Sequence, residues 1–224
     1  MRLPFLVALA LLAVSACTDA PATSSAAEAP AADATEPAAP SAEAAVGTAL
    51  AVGDAAPDFT LPDAMGRETR LSDLLASGPV VLTFYRGSWC PYCNSQLRDY
   101  QAALARIEAD EAHLVAVSPQ TPDSTMSIQD RQGLTFPVLS DVNNRVSREY
   151  GLVFEVDAQT RGQYEAVGID LAASNGTDTW ELPVPATYVI DRDGVIRYAF
   201  VEADYTRRAT AAQVLEALQA VQAL

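Results

Sequence analysis

The sequence predicts an α/β domain, a central mixed sheet flanked by helices, with an insertion ahead of a closing β-hairpin. Three observations carry that expectation. Short apolar, β-branched runs alternate with stretches of helical periodicity, the order of a sheet whose first strands run parallel. Near the C-terminus two such runs flank Arg192-Asp193-Gly194, a turn between antiparallel strands. Between the first buried strand and a long helix stands Cys90-Pro91-Tyr92-Cys93, where a helix N-terminus can stabilise a thiolate.

Residues 1–17 read as a lipoprotein signal peptide. Arg2 supplies the positive start, and Leu3 to Val14 is apolar but too short to span a bilayer. Val14-Ser15-Ala16-Cys17 resembles a bacterial lipobox. That resemblance implies acylation of Cys17 and a place in the cell envelope or periplasm, on a membrane. Thr18 at the following position resembles lipoproteins sent to the outer membrane. Residues 18–49 are rich in Ala, Pro, Ser, Thr and Glu, lack aromatic and basic residues, and read as a disordered linker. Residues 50–224 remain, about 175 residues, the size of one domain with its own core.

Within that domain Phe59 and Leu61 alternate as a short edge strand between Pro57 and Pro62. A short helix follows, capped by Ser72 and ending near Gly78. Val80 to Thr83 is a buried strand, and Asn94 to Ile107 is a helix with Leu97, Leu104 and Ile107 on one side. His113 to Ser118 is a second buried strand. A polar helix over about 124–132, a strand over Phe136–Ser140 and a helix from Asn143 to Tyr150, stopped by Gly151, complete the alternation. Residues 152–181 break it with scattered glycines and acids, and read as an insertion holding a short hairpin or helix that forms one wall of the site. Ala186–Asp191 and Val195–Val201 form the hairpin. The last helix, about 209–223, buries Val214, Leu218 and Val221.

All 14 basic residues are arginine, and the net charge is -15. That balance argues against nucleic acid or an anionic surface as partner. With three cysteines and one histidine, His113, a structural zinc site lacks ligands, so neither metal nor cofactor is expected. A structural disulfide across so short a loop would constrain the unfolded chain little. Dithiol–disulfide redox chemistry at Cys90 and Cys93 is the reading that remains. The helix N-terminus predicts that Cys90 is partly exposed and acidic, in the range ~3.5–7.5, with Cys93 one turn on, within reach to close the disulfide. Tyr85, Trp89 and Tyr92 read as packing, and His113 has no assigned role.

Gly53 to Phe59, Phe84-Tyr85-Arg86-Gly87, Phe136 to Asp141 and Tyr150-Gly151-Leu152 resemble landmarks of the alkyl hydroperoxide reductase/thiol-specific antioxidant (peroxiredoxin) branch of the thioredoxin-fold superfamily. The resemblance spans residues 52–224 and implies a thioredoxin-like fold. It matches best a peroxiredoxin-like subgroup that carries a thioredoxin-type Cys-x-x-Cys. Aligned on Pro-x-x-x-Thr-x-x-Cys, the peroxidatic position falls on Cys93, the proline on Arg86 and the threonine on Cys90. The peroxide-binding arginine falls at or near Pro185, which instead resembles the cis-proline that packs beside the dithiol in thioredoxins. Trp89 to Cys93 resembles thioredoxin or glutaredoxin, and Asp204-Tyr205-Thr206-Arg207 resembles a recurrent segment of the subgroup.

The resemblance thus implies two chemistries. In the favoured one, a thiol–disulfide oxidoreductase, Cys90 attacks protein disulfides and Cys93 resolves the mixed disulfide. In the other, an antioxidant peroxidase, Cys93 attacks peroxide and Cys90 condenses with the sulfenic acid, with Arg86 or Arg207 supplying the cation. The implied partner is a thioredoxin-like electron donor or acceptor. As surface arginines, Arg86 and Arg207 would instead be solvated or ion-paired. A tethered binding module with a vestigial site is a third reading, against which the intact cysteine pair argues.

Overall fold

The structure, a computed structural model, describes residues 41–223. The signal peptide, Cys17 and most of the linker lie outside them. The linker reading is corrected at its end: α1 (Ala42–Thr48) is a helix, N-capped by the Ser41 side chain, with Ala45 buried. Long-range contacts hold it. The Thr48 hydroxyl donates to the Gly151 carbonyl at 3.0 Å, and the Leu50 N–H donates to the Tyr150 carbonyl at 3.2 Å.

β1 (Thr60–Pro62) and β2 (Glu68–Arg70) pair antiparallel as a separate two-stranded sheet. α2 (Leu71–Leu75) has no side-chain cap. Ser72, expected to cap it, donates its N–H and its hydroxyl to Asp58 instead, both at 2.9 Å. β3 (Val80–Phe84) is buried along its whole length, and α3 (Pro91–Ala109) leaves its C-terminal end by way of the cysteine motif. β4 (His113–Ser118), α4 (Pro122–Gln132) and β5 (Val138–Ser140) continue the alternation. The helix expected over 143–150 divides into a 3₁₀ turn at Val142–Asn144 and α5 (Arg145–Glu149), because Asn143 and Asn144 take left-handed φ of 69° and 54°.

The insertion contains both a small sheet and helices. β6 (Val153–Glu155) and β7 (Glu181–Pro183) pair antiparallel and enclose α6 (Ala158–Ala166) and α7 (Leu171–Asn175). Its small core of Val156, Leu171 and Leu182 packs against Trp89 of the motif. β8 (Ala186–Ile190), β9 (Ile196–Val201) and α8 (Ala211–Gln222) close the chain, α8 with a Thr210–Gln213 capping box.

The central sheet has the order β5-β4-β3-β8-β9. β3, β4 and β5 run parallel, while β8 is antiparallel to β3 and to β9. Side chains of β3 alternate between two cores, as the strand period of two requires. Val81 faces α3, α4 and α8, with Leu97, Tyr100, Ile107, Ile128 and Leu218. Val80, Leu82 and Phe84 face the other side, with Leu71, Val146, Tyr150 and Tyr188. This sandwich fixes the C-terminal end of β3, where the motif begins.

Candidate active site

The turn from β3 into α3 is built to hold its backbone close to a ring. Gly87 has φ +155°, and a Cβ there would lie 2.4 Å from Trp89 Nε1, so glycine is required. The Ser88 N–H donates to Gln120 Oε1 at 2.7 Å, and Asn94 Nδ2 donates to the Ser88 carbonyl at 2.9 Å. Cys90 is the N-cap of α3, Pro91 opens the helix, and Cys93 lies in its first turn.

Both cysteines are reduced and both are buried, Cys90 at 1% and Cys93 at 0% exposure. The expectation of a partly exposed, acidic Cys90 is therefore corrected. The hydrogen bond to Cys93, burial and the charge of its neighbour push the Cys90 thiol up. Burial opposes ionisation of Cys93, but it is outweighed by the Cys90 thiol, the Arg208 guanidinium and the Arg86 backbone N–H, which lower it to about 6. Arg208 Nη2 donates to Cys93 Sγ at 3.6 Å. Of the two thiols, Cys93 is the one these neighbours favour as thiolate.

Of the two arginines the sequence offered, Arg86 is at the site and Arg207 is not. Arg207 is exposed and ion-paired with Glu202 at 2.7 Å. Arg208, its neighbour, takes the place beside the sulfur. A basic pair just ahead of the final helix was the available signal, but adjacency does not say which member turns inward.

Arg86 is 3% exposed and, among the described residues, has no carboxylate within 4.0 Å. Its guanidinium carbon lies 4.2 Å from the Tyr205 ring centroid, 5.2 Å from Trp89 and 5.7 Å from Tyr164. Burial pulls its pKa down, while the neighbouring sulfurs of Cys90 and Cys93 act to raise it. Tyr164 comes from α6, so the insertion does form one wall of the site. Tyr205 also meets the half-exposed Tyr92 edge-on at 5.8 Å.

Pro185 is buried in the join between β7 and β8. Every peptide bond among the described residues is trans, which corrects the cis-proline expectation. The Val184 N–H donates to the Leu152 carbonyl at 2.8 Å, and the chain continues extended from the small sheet into the central one, the path a trans Val184–Pro185 bond allows. His113 meets the Ser77 hydroxyl at 2.7 Å and takes no part in the site.

A cleft of about 340 Å³ opens beside Arg208, walled by Tyr92, Gln96, Asp99, Thr206 and Ala211. A cavity of about 720 Å³ lies by Pro79 and Asp191, toward the other end of β3, with neither Cys90 nor Cys93 in its wall. Among the described residues no group of three His, Cys, Asp or Glu is placed to hold a metal ion.

The model of the AhpC/TSA family matches residues 52–199. A putative peroxiredoxin of Mycobacterium tuberculosis is 32% identical over 163 residues, 73% of this chain and 90% of its own. The thiol-disulfide oxidoreductase ResA of Geobacillus thermodenitrificans is 30% identical over 151 residues, 67% of this chain and 69% of its own. Among solved structures, peroxidoxin BcpB from Mycobacterium tuberculosis superposes with a TM-score of 0.59 at 24% identity, covering 77% of this chain and 97% of that one, a likeness of fold.

Proposed function

The chain belongs to the AhpC/TSA family, in the peroxiredoxin-like branch of the thioredoxin-fold superfamily, and is a thiol oxidoreductase; from that premise we propose that it reduces peroxides, with Cys93 attacking and Cys90 resolving. The observation that carries this reading is the cation beside the second cysteine: Arg208 Nη2 lies 3.6 Å from the sulfur of Cys93, which is fully buried, and that contact favours its ionisation. A hydroperoxide is small enough to enter such a site, whereas a protein disulfide needs a sulfur at the surface.

The chemistry balances with these residues. The Cys93 thiolate attacks one peroxide oxygen, an S–O bond forms and the O–O bond breaks. The departing alkoxide or hydroxide, stabilised by Arg208, takes a proton and leaves as alcohol or water. The Cys90 sulfur then attacks the Cys93 sulfenic acid. An S–S bond forms, and the sulfenyl oxygen leaves as water with its own proton and the Cys90 proton. A thioredoxin-like dithiol returns the pair to the reduced state and becomes a disulfide itself. Oxidation removes the anion beside Arg208, and reduction of the pair requires Cys90, 1% exposed, to become accessible to that partner.

Disulfide exchange with Cys90 attacking is the second reading, supported by the Cys-x-x-Cys spacing and the 30% identity to ResA. The proposal also puts the domain in the cell envelope, held to a membrane, with the outer membrane favoured, by a lipid on Cys17, supported by Leu3 to Val14 and Val14-Ser15-Ala16-Cys17.

The test mixes the reduced protein with one equivalent of hydrogen peroxide and follows loss of two hydrogen atoms from the peptide holding both cysteines. Disulfide formation at least about a hundredfold faster than for free cysteine supports the peroxidase. A rate like that of free cysteine, together with rapid oxidation by a disulfide-containing peptide, would replace it with the exchange reading.

A further inference from the structure

We propose that Tyr100 is a positioning residue for Cys93: its hydroxyl anchors the segment that holds Arg208 against the sulfur. The inference rests on the reading of Cys93 as the attacking thiolate. Cys93, Gln96 and Tyr100 follow one another on the buried face of α3. Tyr100 is fully buried, yet a phenylalanine would fill the same space, so the hydroxyl needs a reason.

Its hydrogen bonds supply one. The Tyr100 hydroxyl lies 3.0 Å from the Ala209 carbonyl, 3.1 Å from Gln96 Nε2 and 3.1 Å from Thr187 Oγ1. A carbonyl has no proton to give, so Tyr100 must donate to Ala209. Its lone pairs are then left for the Gln96 amide and the Thr187 hydroxyl. Thr187 in turn accepts from Gln96 at 3.3 Å and lies 3.0 Å from the hydroxyl of Thr83, which itself donates to the Ala186 carbonyl at 3.2 Å. The direction of the Tyr100 proton follows from that one carbonyl, and side chains of α3 and β8 on its other side steer it toward Ala209.

Ala209 directly follows Arg208 in the connection between β9 and α8. Residues 203–209 bond mostly to one another: Thr206 and Arg207 to Asp204, and Arg208 Nη1 to the Arg207 carbonyl. Among the described residues, their hydrogen bonds to elements outside that connection are two, Tyr100 to Ala209 and Arg208 to Cys93. The first fixes the backbone from which the second is made. The other titratable groups that face Cys93 are Cys90, Arg86, Tyr85 and Arg208 itself, from the motif, the end of β3 and this connection. None of them is bonded to Tyr100, so its loss acts through Arg208.

The test is the pH profile of Cys93 alkylation by iodoacetamide in the full chain carrying Cys90→Ser, read from the mass of the tryptic peptide 87–98, which then holds a single thiol. Adding Tyr100→Phe should slow the reaction at pH 7 about threefold to tenfold, with the two rates meeting above about pH 9.5. Ile128→Val, a loss of core packing away from this group, should leave the profile in place. In an Arg208→Ala background, Tyr100→Phe should change the rate by less than about 1.5-fold, since the path is already cut. If Tyr100→Phe fails to fold, Thr187→Val must shift the profile the same way by less.

An unmoved profile with Tyr100→Phe, or the same slowing with and without Arg208, overturns the inference alone. An unmoved profile with Arg208→Ala overturns the reading of Cys93 beneath it.

Discussion

Reduced protein should gain stability with rising pH through its Cys93 thiol, and Cys93→Ser should lack that gain. The folded site holds this group at about 6 against an ordinary value of 9.0. It is an acid with a lowered folded value, so its stabilisation is complete above 9.0 and disappears as pH falls through about 6. Between those limits the unfolded chain binds more protons than the native one, and stability rises with pH. At about 1.4 kcal/mol per tenfold change in ionisation, the gain is roughly 1 kcal/mol at pH 7 and roughly 3 kcal/mol at pH 8. Cys90 is pushed up and stays protonated in this window, so it adds no slope of its own. The assay is urea unfolding in a non-thiol reductant, for the parent and for Cys93→Ser, from about pH 5 to 8. The stability difference between them should widen in favour of the parent by about 3 kcal/mol across the series. Parallel curves, or curves that converge as pH rises, would refute the placement of the thiolate on Cys93.

Arg208→Ala should slow the reaction with peroxide at neutral pH by about tenfold to a hundredfold in stopped flow. Arg207→Ala, which breaks an exposed pair with Glu202, should stay within about twofold. Asp141 is fully buried and accepts from the Val146 N–H at 3.0 Å and from the Ser147 N–H and hydroxyl at 2.8 Å; Asp141→Ala should cost about 2–4 kcal/mol in denaturant unfolding. Gly151→Ala forces a side chain onto φ +71° and brings a Cβ within 2.1 Å of the Thr48 carbonyl oxygen, so it should lower stability by at least about 1 kcal/mol and make residues 41–49 the first site of limited proteolysis. Cys17→Ser should release the protein from the membrane fraction with the domain folded, as a fractionation blot would show.

What could be read in the sequence was what local pattern determines. β3 and β4 are mostly apolar because both faces of the sheet are covered, and the hairpin at Arg192-Asp193-Gly194 announces itself by its turn. The cysteine motif was legible as a redox site from its place between strand and helix. Which sulfur carries the charge was not, because the answer comes from residue 208, brought 115 positions back along the chain by the packing of α8 on α3. The helix at Ala42–Thr48 has the same Ala- and Glu-rich composition as the linker before it. Only its contacts with Gly151 and Tyr150 distinguish it. Burial of Cys90 was hidden for a similar reason: it joins a core assembled from α3, α4 and α8, while the insertion, without a clear period of its own, packs against the adjacent Trp89. Pro185 carried a true signal for the strand that follows and a false one for a cis bond, since its sequence neighbours do not fix the isomer.

The most direct measurement of the central claim is the site of sulfenic acid formation. Cys90→Ser and Cys93→Ser proteins, reduced and mixed with equimolar hydrogen peroxide in the presence of dimedone, report which sulfur attacks. The account predicts a rapid adduct on Cys93 in the Cys90→Ser protein and none above the free-thiol rate on Cys90 in the Cys93→Ser protein. An adduct confined to Cys90, or no adduct on either while Cys90 captures mixed disulfides with envelope proteins, would contradict it.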